Sequence, residues 1–369
     1  MELTPIKVKG RGRQKKAWRP PDPRRVMEKR KRTQDDGPVE GADGWCPKRF
    51  KSKKPPAPIE NLPVEILERI ILMSRNLNVL FSSVRIGKRF SHPHFLTEVV
   101  EEAFGPTWDK LFAHPRTRKM MLRHADQRVF DLPGDPVFQS AVLACRWVNV
   151  RLVLAAQQKW ARRTGGPEWF DKLPEHHPRR HRALRRMKNV KRRYEKDWVG
   201  FKVGCMDFLD PPEFADPPEV WLGMLLHIDK RIDVHPQTRI PPRLLTGPFD
   251  WDSIRLLFWL VRGGARLQPE HAWDWELTLK GFDNVMALGD QDIAVVYLKL
   301  LSSLGAFKRW PRDLLKDKLQ TAQDLEQTEA GGDDELLWGA VRYILESEAE
   351  LAQQGIDPSA LLLFNEGSQ

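Results

Sequence analysis

Three histidines, His176, His177 and His181, form the densest group of potential metal ligands in the 369-residue chain. Imidazole nitrogens bind Zn²⁺ and related ions when several of them converge on one point. The surrounding stretch, residues 176–196, holds ten Lys and Arg residues against one acidic residue, and neighbouring cations repel a divalent ion. The local charge therefore disfavours a metal, and we expect the chain to use no metal and no other cofactor.

The other residue types that carry chemistry are dispersed. Cys46, Cys145 and Cys205 are too far apart for a zinc knuckle or a CxxC redox motif, so we interpret them as buried or idle thiols in a reducing compartment. Asp333 and Asp334 are adjacent, but the glycines before them indicate a solvated acidic loop. The sequence contains no phosphate-binding glycine loop, no GxSxG and no HExxH. These observations predict a protein without catalytic activity.

The net positive charge of the chain is concentrated at its N-terminal end. Residues 1–58 hold 18 Lys and Arg against 7 acidic residues, whereas residues 59–369 hold 43 of each sign. Residues 1–58 are also rich in Pro and Gly and lack helical or strand periodicity, which predicts a disordered basic tail. A DNA-binding domain more often carries its basic residues on a folded face, so this distribution argues against one.

The basic clusters of this tail leave three interpretations open. Short Lys/Arg runs are recognised by nuclear import receptors, but they also occur as solvated tail charge or as a weak phosphate-binding arm. We favour import, which predicts a nuclear location, with the cytoplasm as a second compartment. The candidate import residues are Lys29, Arg30, Lys31, Arg32, Lys48, Arg49, Lys51, Lys53 and Lys54.

The sequence gives no indication of a membrane location. A transmembrane helix needs about 18 or more consecutive apolar residues, and no such run occurs. The stretch from Met1 to Lys16 is polar and basic and contains no apolar signal core. We therefore expect neither secretion nor a membrane partner.

Beyond the tail, apolar residues recur at helical intervals, which predicts a mainly α protein. Helices are predicted near residues 138–145, 150–154, 254–261, 292–301 and 335–352. The chain is thereby divided into a small helical module and a larger helical body, which we expect to bind a partner protein. The predicted boundaries are a tail at 1–58, a module at 59–104, a body at 105–354 with a basic insertion at 176–196, and a C-terminal tail at 355–369.

Two segments of the body are alike. Ile254–Val261 is followed by Gly263-Gly264, and Asp292–Leu301 is followed by Gly305-Ala306, at a spacing of about 40 residues. This recurrence predicts stacked helical hairpins that resemble degenerate ankyrin units. The Thr-Pro-Leu-His start of the ankyrin family is missing throughout, and an unrelated helical domain is the alternative.

Two further features of the body leave alternatives open. The basic stretch 179–193 is either a solvated insertion or a helix that binds phosphate or an acidic partner, with affinity that falls as salt rises. Tryptophans are frequent, and each belongs either to the core or to an exposed partner surface. Those of the second helical region are Trp251, Trp259, Trp273 and Trp275.

The segment from Asn61 to Phe95 has the clearest pattern. We expect Asn61 to cap a helix and Pro63 to occupy its first turn, where the missing N–H costs little. A second short helix is predicted to begin near Leu77 and Asn78. The first helix carries one apolar stripe at helical spacing, formed by Leu62, Ile66, Leu67, Ile70 and Ile71.

This segment resembles the F-box family, in particular the forms common in fungal proteins. The resemblance covers about 35 of the 369 residues. Many F-boxes end in a Cys-Lys/Arg-x-Trp element, whereas this chain has Ile86-Gly87-Lys88-Arg89-Phe90, in which Gly87 is expected to weaken the second helix. The matching residues are Leu62-Pro63-x-Glu65-Ile66-Leu67, Ile70, Asn76-Leu77, Leu80 and Val84-Arg85.

The resemblance implies docking on the adaptor subunit of cullin-based (SCF) ubiquitin ligases, through apolar anchors that fill a groove of the partner. The body would recruit an unknown protein substrate, and the cullin scaffold would be a further partner. The stripe could instead pack on the chain's own helices. The alternatives for the whole chain are a nuclear nucleic-acid or chromatin-associated protein and a non-ligase helical scaffold. The predicted adaptor anchors are Leu62, Pro63, Ile66, Ile70 and Leu80.

Overall fold

The structure, a computed structural model, describes residues 57–111, 133–164, 189–209, 228, 233–267, 274–328 and 335–354. These residues form thirteen α-helices and no strand, so the predicted mainly α class is confirmed. All of them belong to one unit, Pro56–Gln369. None of the described helices is both long and apolar enough to cross a membrane.

The first four helices follow a 3-10 turn at Pro58–Asn61: α1 (Val64–Ser74), α2 (Asn78–Ser82), α3 (Val84–Arg89) and α4 (Pro93–Leu111). Helix α2 packs against α3, and α1 packs against α4. Local features explain the breaks between them. After α1, Arg75 adopts a left-handed conformation with a φ of 51°. At the start of α3, the side chain of Ser83 accepts a hydrogen bond from the N–H of Arg85.

Three helices begin the body: α5 (Pro136–Ala144), α6 (Val150–Thr164) and α7 (Val190–Leu209). The first two confirm the helices predicted near residues 138–145 and 150–154. Helix α4 packs against both α5 and α6, and α6 packs against α7. Aromatic rings fill this interface, since Trp108 stacks on Phe104 and contacts Trp160, all fully buried.

Six helices complete the body: α8 (Pro242–Thr246), α9 (Trp251–Arg262), α10 (Asp274–Met286), α11 (Gln291–Ser303), α12 (Arg312–Thr328) and α13 (Glu335–Gln354). A 3-10 turn at Phe307–Arg309 precedes α12. Helix α11 lies at the centre, where it packs against α7, α9, α10 and α13. The helices predicted near residues 254–261, 292–301 and 335–352 are therefore confirmed.

Residues 233–241, which precede α8, are held against the core by buried hydrogen bonds. The N–H of Asp233 donates to the carbonyl of Gly263 at 2.9 Å, and the indole of Trp108 donates to the carbonyl of Asp233 at 2.9 Å. The buried amide of Gln139 accepts a hydrogen bond from the N–H of His235 at 3.0 Å. Because buried polar groups are costly without partners, these bonds tie α4, α5 and α9 to one loop.

The glycines that follow the two similar segments of the body form two helix ends of the same kind. After α9, Gly264 has a φ of 92° and the N–H of Ala265 donates to the carbonyl of Leu260. After α11, Gly305 has a φ of 67° and Ala306 makes the equivalent bond. Both are Schellman caps, in which glycine tolerates the left-handed conformation. The cap explains the sequence likeness, and the ankyrin-like arrangement stays a prediction.

Helix α4 runs through the predicted module–body boundary at residues 104/105, so the two regions share a helix. Arg75, just after α1, adds ion pairs to Asp135 at 3.3 Å and to Glu102 at 3.5 Å. The predicted tails lie outside the described residues, apart from the last two positions of 1–58. The same holds for the basic insertion up to residue 188.

Candidate protein-docking face

Helix α1 carries more apolar side chains than the core takes up. Leu67 and Ile71 are fully buried in the hydrophobic core. Ile66, Ile70 and Met73 are 44 %, 37 % and 83 % exposed. Their spacing puts these three on one side of the helix, about a third of a turn from the buried pair. We call Ile66, Ile70 and Met73 the outer stripe.

The single apolar stripe predicted for this helix is therefore divided between the interior and the surface. Packing against the chain's own helices accounts for Leu67 and Ile71. It leaves a large part of Ile66 and Ile70 in contact with solvent. An apolar arc that is wider than the covered face is the arrangement expected where a second partner approaches the helix.

Other exposed hydrophobic side chains lie in the same region of the chain. Ten large hydrophobic residues are exposed in the described part of the protein, and six of them lie between residues 59 and 84. Single exposed apolar residues are normal on a protein surface, whereas their concentration in a short segment makes this region the candidate interaction site. Besides the outer stripe, this group contains Ile59, Phe81 and Val84.

The N-cap of α1 is Pro63, so the prediction that Asn61 caps this helix is wrong. Asn61 belongs to the preceding 3-10 turn, and Pro63 occupies the N-cap without a side-chain hydrogen bond. Proline fits there because the first N–H groups of a helix have no partner within it. The guanidinium of Arg89 donates to the carbonyls of Glu60 and Leu62 at 3.0 and 3.2 Å. These two bonds from the end of α3 hold the turn that orients α1.

Gly87 allows α3 to approach α2 closely. A Cβ atom at this position would lie 3.0 Å from the carbonyl oxygen of Leu80. Helix propensity alone was the basis for expecting Gly87 to weaken this helix. Residues Val84 to Arg89 do form a helix, which the buried side chains of Ile86 and Phe90 fix to the core. The absence of a Cβ atom at Gly87 therefore lets α3 pack closely against α2.

The five predicted anchors fall in three environments. Pro63, Ile66 and Ile70 are exposed, Leu62 is partly buried, and Leu80 is only 6 % exposed. The prediction of Leu80 as a surface anchor is wrong, because α2 turns Leu77 and Leu80 inward at an interval of three residues. The next residue, Phe81, points outward instead. The apolar pattern alone could not separate Leu80 from Phe81, since both are hydrophobic.

Charged residues border the outer stripe. Glu65 and Arg69 are exposed on the same helix, and their positions place them along one edge of the stripe. An apolar centre with a polar rim is the usual composition of a protein–protein interface. The face can therefore bind an apolar groove of another protein.

The remaining candidate residues divide into buried and undescribed ones. Cys145 and Cys205 are buried, as predicted, and burial raises the pKa of their thiols to about 11 and about 12. Trp259 is fully buried, while Trp251 and Trp275 are partly buried against the core. Outside the described residues lie the candidate import residues, Cys46, His176, His177, His181, Trp273, Asp333 and Asp334.

No protein-family model matches the chain, and no curated protein and no solved structure matches it significantly. The likeness of residues 59–95 to F-boxes therefore depends on the residues of that segment alone and stays a prediction.

Proposed function

We propose that the chain is a non-catalytic substrate-recruiting subunit of an SCF-type ubiquitin ligase. The outer stripe and the residues around it would bind the adaptor subunit, and through the adaptor the cullin scaffold. The helical body would bind a protein substrate. The observation that supports this assignment is the outer stripe, because it leaves aliphatic surface uncovered on a segment that resembles an F-box.

The physical basis of docking is the burial of these side chains. Fully burying one aliphatic side chain contributes about 1.5–3 kcal/mol, so covering the outer stripe would contribute several kcal/mol toward the cost of association. A helix that inserts such residues into a groove is a common mode of peptide recognition. The subunit would then act by raising the local concentration of the substrate near the ligase.

The proposal includes a nuclear location, based on the basic clusters at residues 29–32 and 48–54. A fluorescent fusion of the full chain should accumulate in the nucleus. Replacing both clusters with serine should shift it to the cytoplasm. Unchanged nuclear accumulation would contradict the assignment of these residues as import signals.

The docking proposal is tested by capture of the adaptor subunit on the full-length chain. Ile66→Lys and Met73→Lys should each abolish capture, because they place a charge in the apolar contact. Met73 is the more decisive position, since its side chain is largely exposed and its replacement cannot disturb the core.

The matched control is Leu288→Lys, which introduces the same charge at an exposed leucine outside this region. This variant should capture the adaptor as the wild type does. Capture that persists in both Ile66→Lys and Met73→Lys would refute the docking face. A wild-type chain that captures no adaptor would favour the helical scaffold without a ligase partner.

A further inference from the structure

Helix α7 has a side that faces solvent in the part of the body that the structure describes. Tyr194 and Trp198 turn inward and are buried against α9. On the opposite side, four residues recur at intervals of four, three and four, which places them on one helix face. We call this set the α7 outer face: Arg192, Lys196, Val199 and Val203.

The charges of α7 are sorted between its two sides. Glu195 and Asp197 turn toward α9, where they pair with Arg255 at 2.5 Å and with Arg262 at 2.8 Å. No acidic side chain lies within 4.0 Å of the outward cations, among the residues that the structure describes. These cations are Lys191, Arg192 and Lys196. The outer face is therefore positive, although the helix contains acidic residues.

The position of these cations has an electrostatic cost. Lys191 and Arg192 lie in the first turn of α7, which contains no acidic residue. The N-terminal end of a helix carries a partial positive charge, so cations there are unfavourable. An anionic partner would interact favourably with both the cations and the helix end, and so would offset this cost. The helix end alone does not define a ligand. The cations beside it, which have no acidic partner among the described residues, favour a negatively charged ligand.

The other half of the α7 outer face is apolar. Val199 and Val203 are 55 % and 50 % exposed, and a Cβ built at Gly200 would have no neighbour within 4 Å. Lys202 does not belong to this face, because it lies 4.2 Å from the ring of Trp251 and pairs with Asp292 at 3.5 Å. Apolar side chains next to charged ones are the combination that protein interfaces use.

A nucleic acid would use only the basic half of this face. Its phosphates can pair with Arg192 and Lys196, but they gain nothing from Val199 and Val203. Single-stranded nucleic acids are usually held by stacking on exposed aromatic rings, and α7 has no large exposed aromatic residue among its described side chains. The combination of cations and aliphatic surface instead fits a protein segment.

We propose that the α7 outer face binds an acidic segment of a partner protein, in which carboxylates stand next to aliphatic or aromatic side chains. Carboxylates would pair with Arg192 and Lys196, and the apolar residues would cover Val199 and Val203. The identification of this partner as the ligase substrate rests on the proposed function. The binding itself does not.

The test uses the full-length chain and a fluorescent peptide in which glutamates alternate with leucines at three- and four-residue spacing. Binding should weaken as salt rises, because it depends on exposed charges. Lys196→Glu should reduce the affinity about tenfold or more, and Val203→Ser should reduce it by about threefold to tenfold. Lys280→Glu, a charge reversal at an exposed lysine of α10, should leave the affinity unchanged.

Three results would overturn this inference. Equal affinity of the wild type, Lys196→Glu and Val203→Ser would show that the peptide binds elsewhere. Tighter binding of duplex DNA or RNA, insensitive to Val203→Ser, would make the face a nucleic-acid site. Peptide binding that appears only after deletion of residues 355–369, whose charged residues are Asp357 and Glu366, would show that the chain's own segment is the occupant.

Failure of this inference is distinguishable from failure of the proposed function. Adaptor capture should survive Lys196→Glu and Val203→Ser, because neither residue belongs to the docking face. Peptide binding should in turn survive Met73→Lys. Melting temperatures of all variants close to that of the wild type would exclude unfolding as the cause of any loss.

Discussion

Helices α1 and α11 are both rich in aliphatic residues, but the protein uses them differently. All residues from Ile293 to Ser302 in α11 are buried, because other helices pack around it. Helix α1 buries Leu67 and Ile71 and leaves three further apolar side chains partly in solvent. One helix is surrounded by its own chain, and the other is covered on one side only.

The neighbours of a core helix constrain it on every side, whereas a helix with an exposed apolar side is constrained only where it meets the core. In the body, two buried polar groups bridge separate elements: the hydroxyl of Tyr297 donates to the carbonyl of Leu245, and the indole of Trp310 donates to Thr278 at 3.0 Å. Such bonds fix one arrangement, so a small change inside the body is costly. The outer side of α1 has no such constraint, and changes there should affect binding more than folding.

The largest effect is expected for Gly281→Ala in α10. A Cβ there would lie 1.8 Å from the carbonyl oxygen of Leu245 and 2.1 Å from the hydroxyl of Tyr297. Neither atom can move without disturbing the centre of the body, so we expect a loss of about 3 kcal/mol in the free energy of unfolding, or no folded protein. Urea unfolding followed by circular dichroism measures this change.

The matched control for Gly281→Ala is Gly200→Ala. Gly200 is also a helical glycine, but nothing lies within 4 Å of its added Cβ. Helix propensity should therefore raise the free energy of unfolding by about 1 kcal/mol. Similar changes in the two variants would show that α10 is not packed against α8 as closely as the structure indicates.

Alkaline pH should weaken the body through its buried thiols. Burial raises the pKa of Cys205 from 9.0 to about 12, so the folded state keeps a proton that the unfolded state loses. This contribution is complete below pH 9 and declines as pH rises toward 12, by about 1.4 kcal/mol per pH unit. Residues 57–92 contain no cysteine or tyrosine, so the effect belongs to the body.

The measurement is urea unfolding of the wild type and Cys205→Ala at about pH 8 and at about pH 10.5. The wild type should lose more stability than the variant between these two values. Parallel losses in both proteins would mean that the thiol of Cys205 is accessible to solvent in the folded state.

Much of the fold could be predicted from the sequence where the signal is local. The helix stop at Gly264 follows from glycine's tolerance of positive φ, and the dense apolar run from Ile293 predicts a buried helix. The choice between Leu80 and Phe81 could not be predicted, because it depends on which side of α2 meets the core. The partner of Arg243 could not be predicted either, because its guanidinium donates to the carbonyl of Val148, 95 residues away, at 3.2 Å.

The candidate docking face could be predicted only in part, because its exposure depends on how the helices pack. Periodicity located the apolar residues of α1, including Ile66 and Ile70. It could not show that the core covers only Leu67 and Ile71, because the number of neighbouring helices is a tertiary property. Met73 was missed as an exposed member of this face, although its spacing of three from Ile70 was the available signal.

A smaller effect is expected for Gly87→Ala in α3. Helix propensity alone predicts a gain of about 1 kcal/mol. The added Cβ would lie 3.0 Å from the carbonyl oxygen of Leu80, and this contact should cancel most of the gain. Urea unfolding should therefore give a smaller increase than in Gly200→Ala. Equal gains would mean that α3 can shift away from α2 at little cost, and that the module is less tightly packed than the body.

The smallest effect on stability is expected for Met73→Ser. This side chain is 83 % exposed, so its replacement removes little buried area and should change the free energy of unfolding by about 0.5 kcal/mol or less. The control Ile71→Ala, two residues earlier on the buried side of α1, should cost about 2–5 kcal/mol. A large loss of stability in Met73→Ser would place Met73 in the core. A negligible loss, together with weaker adaptor capture, would separate docking from folding within one helix.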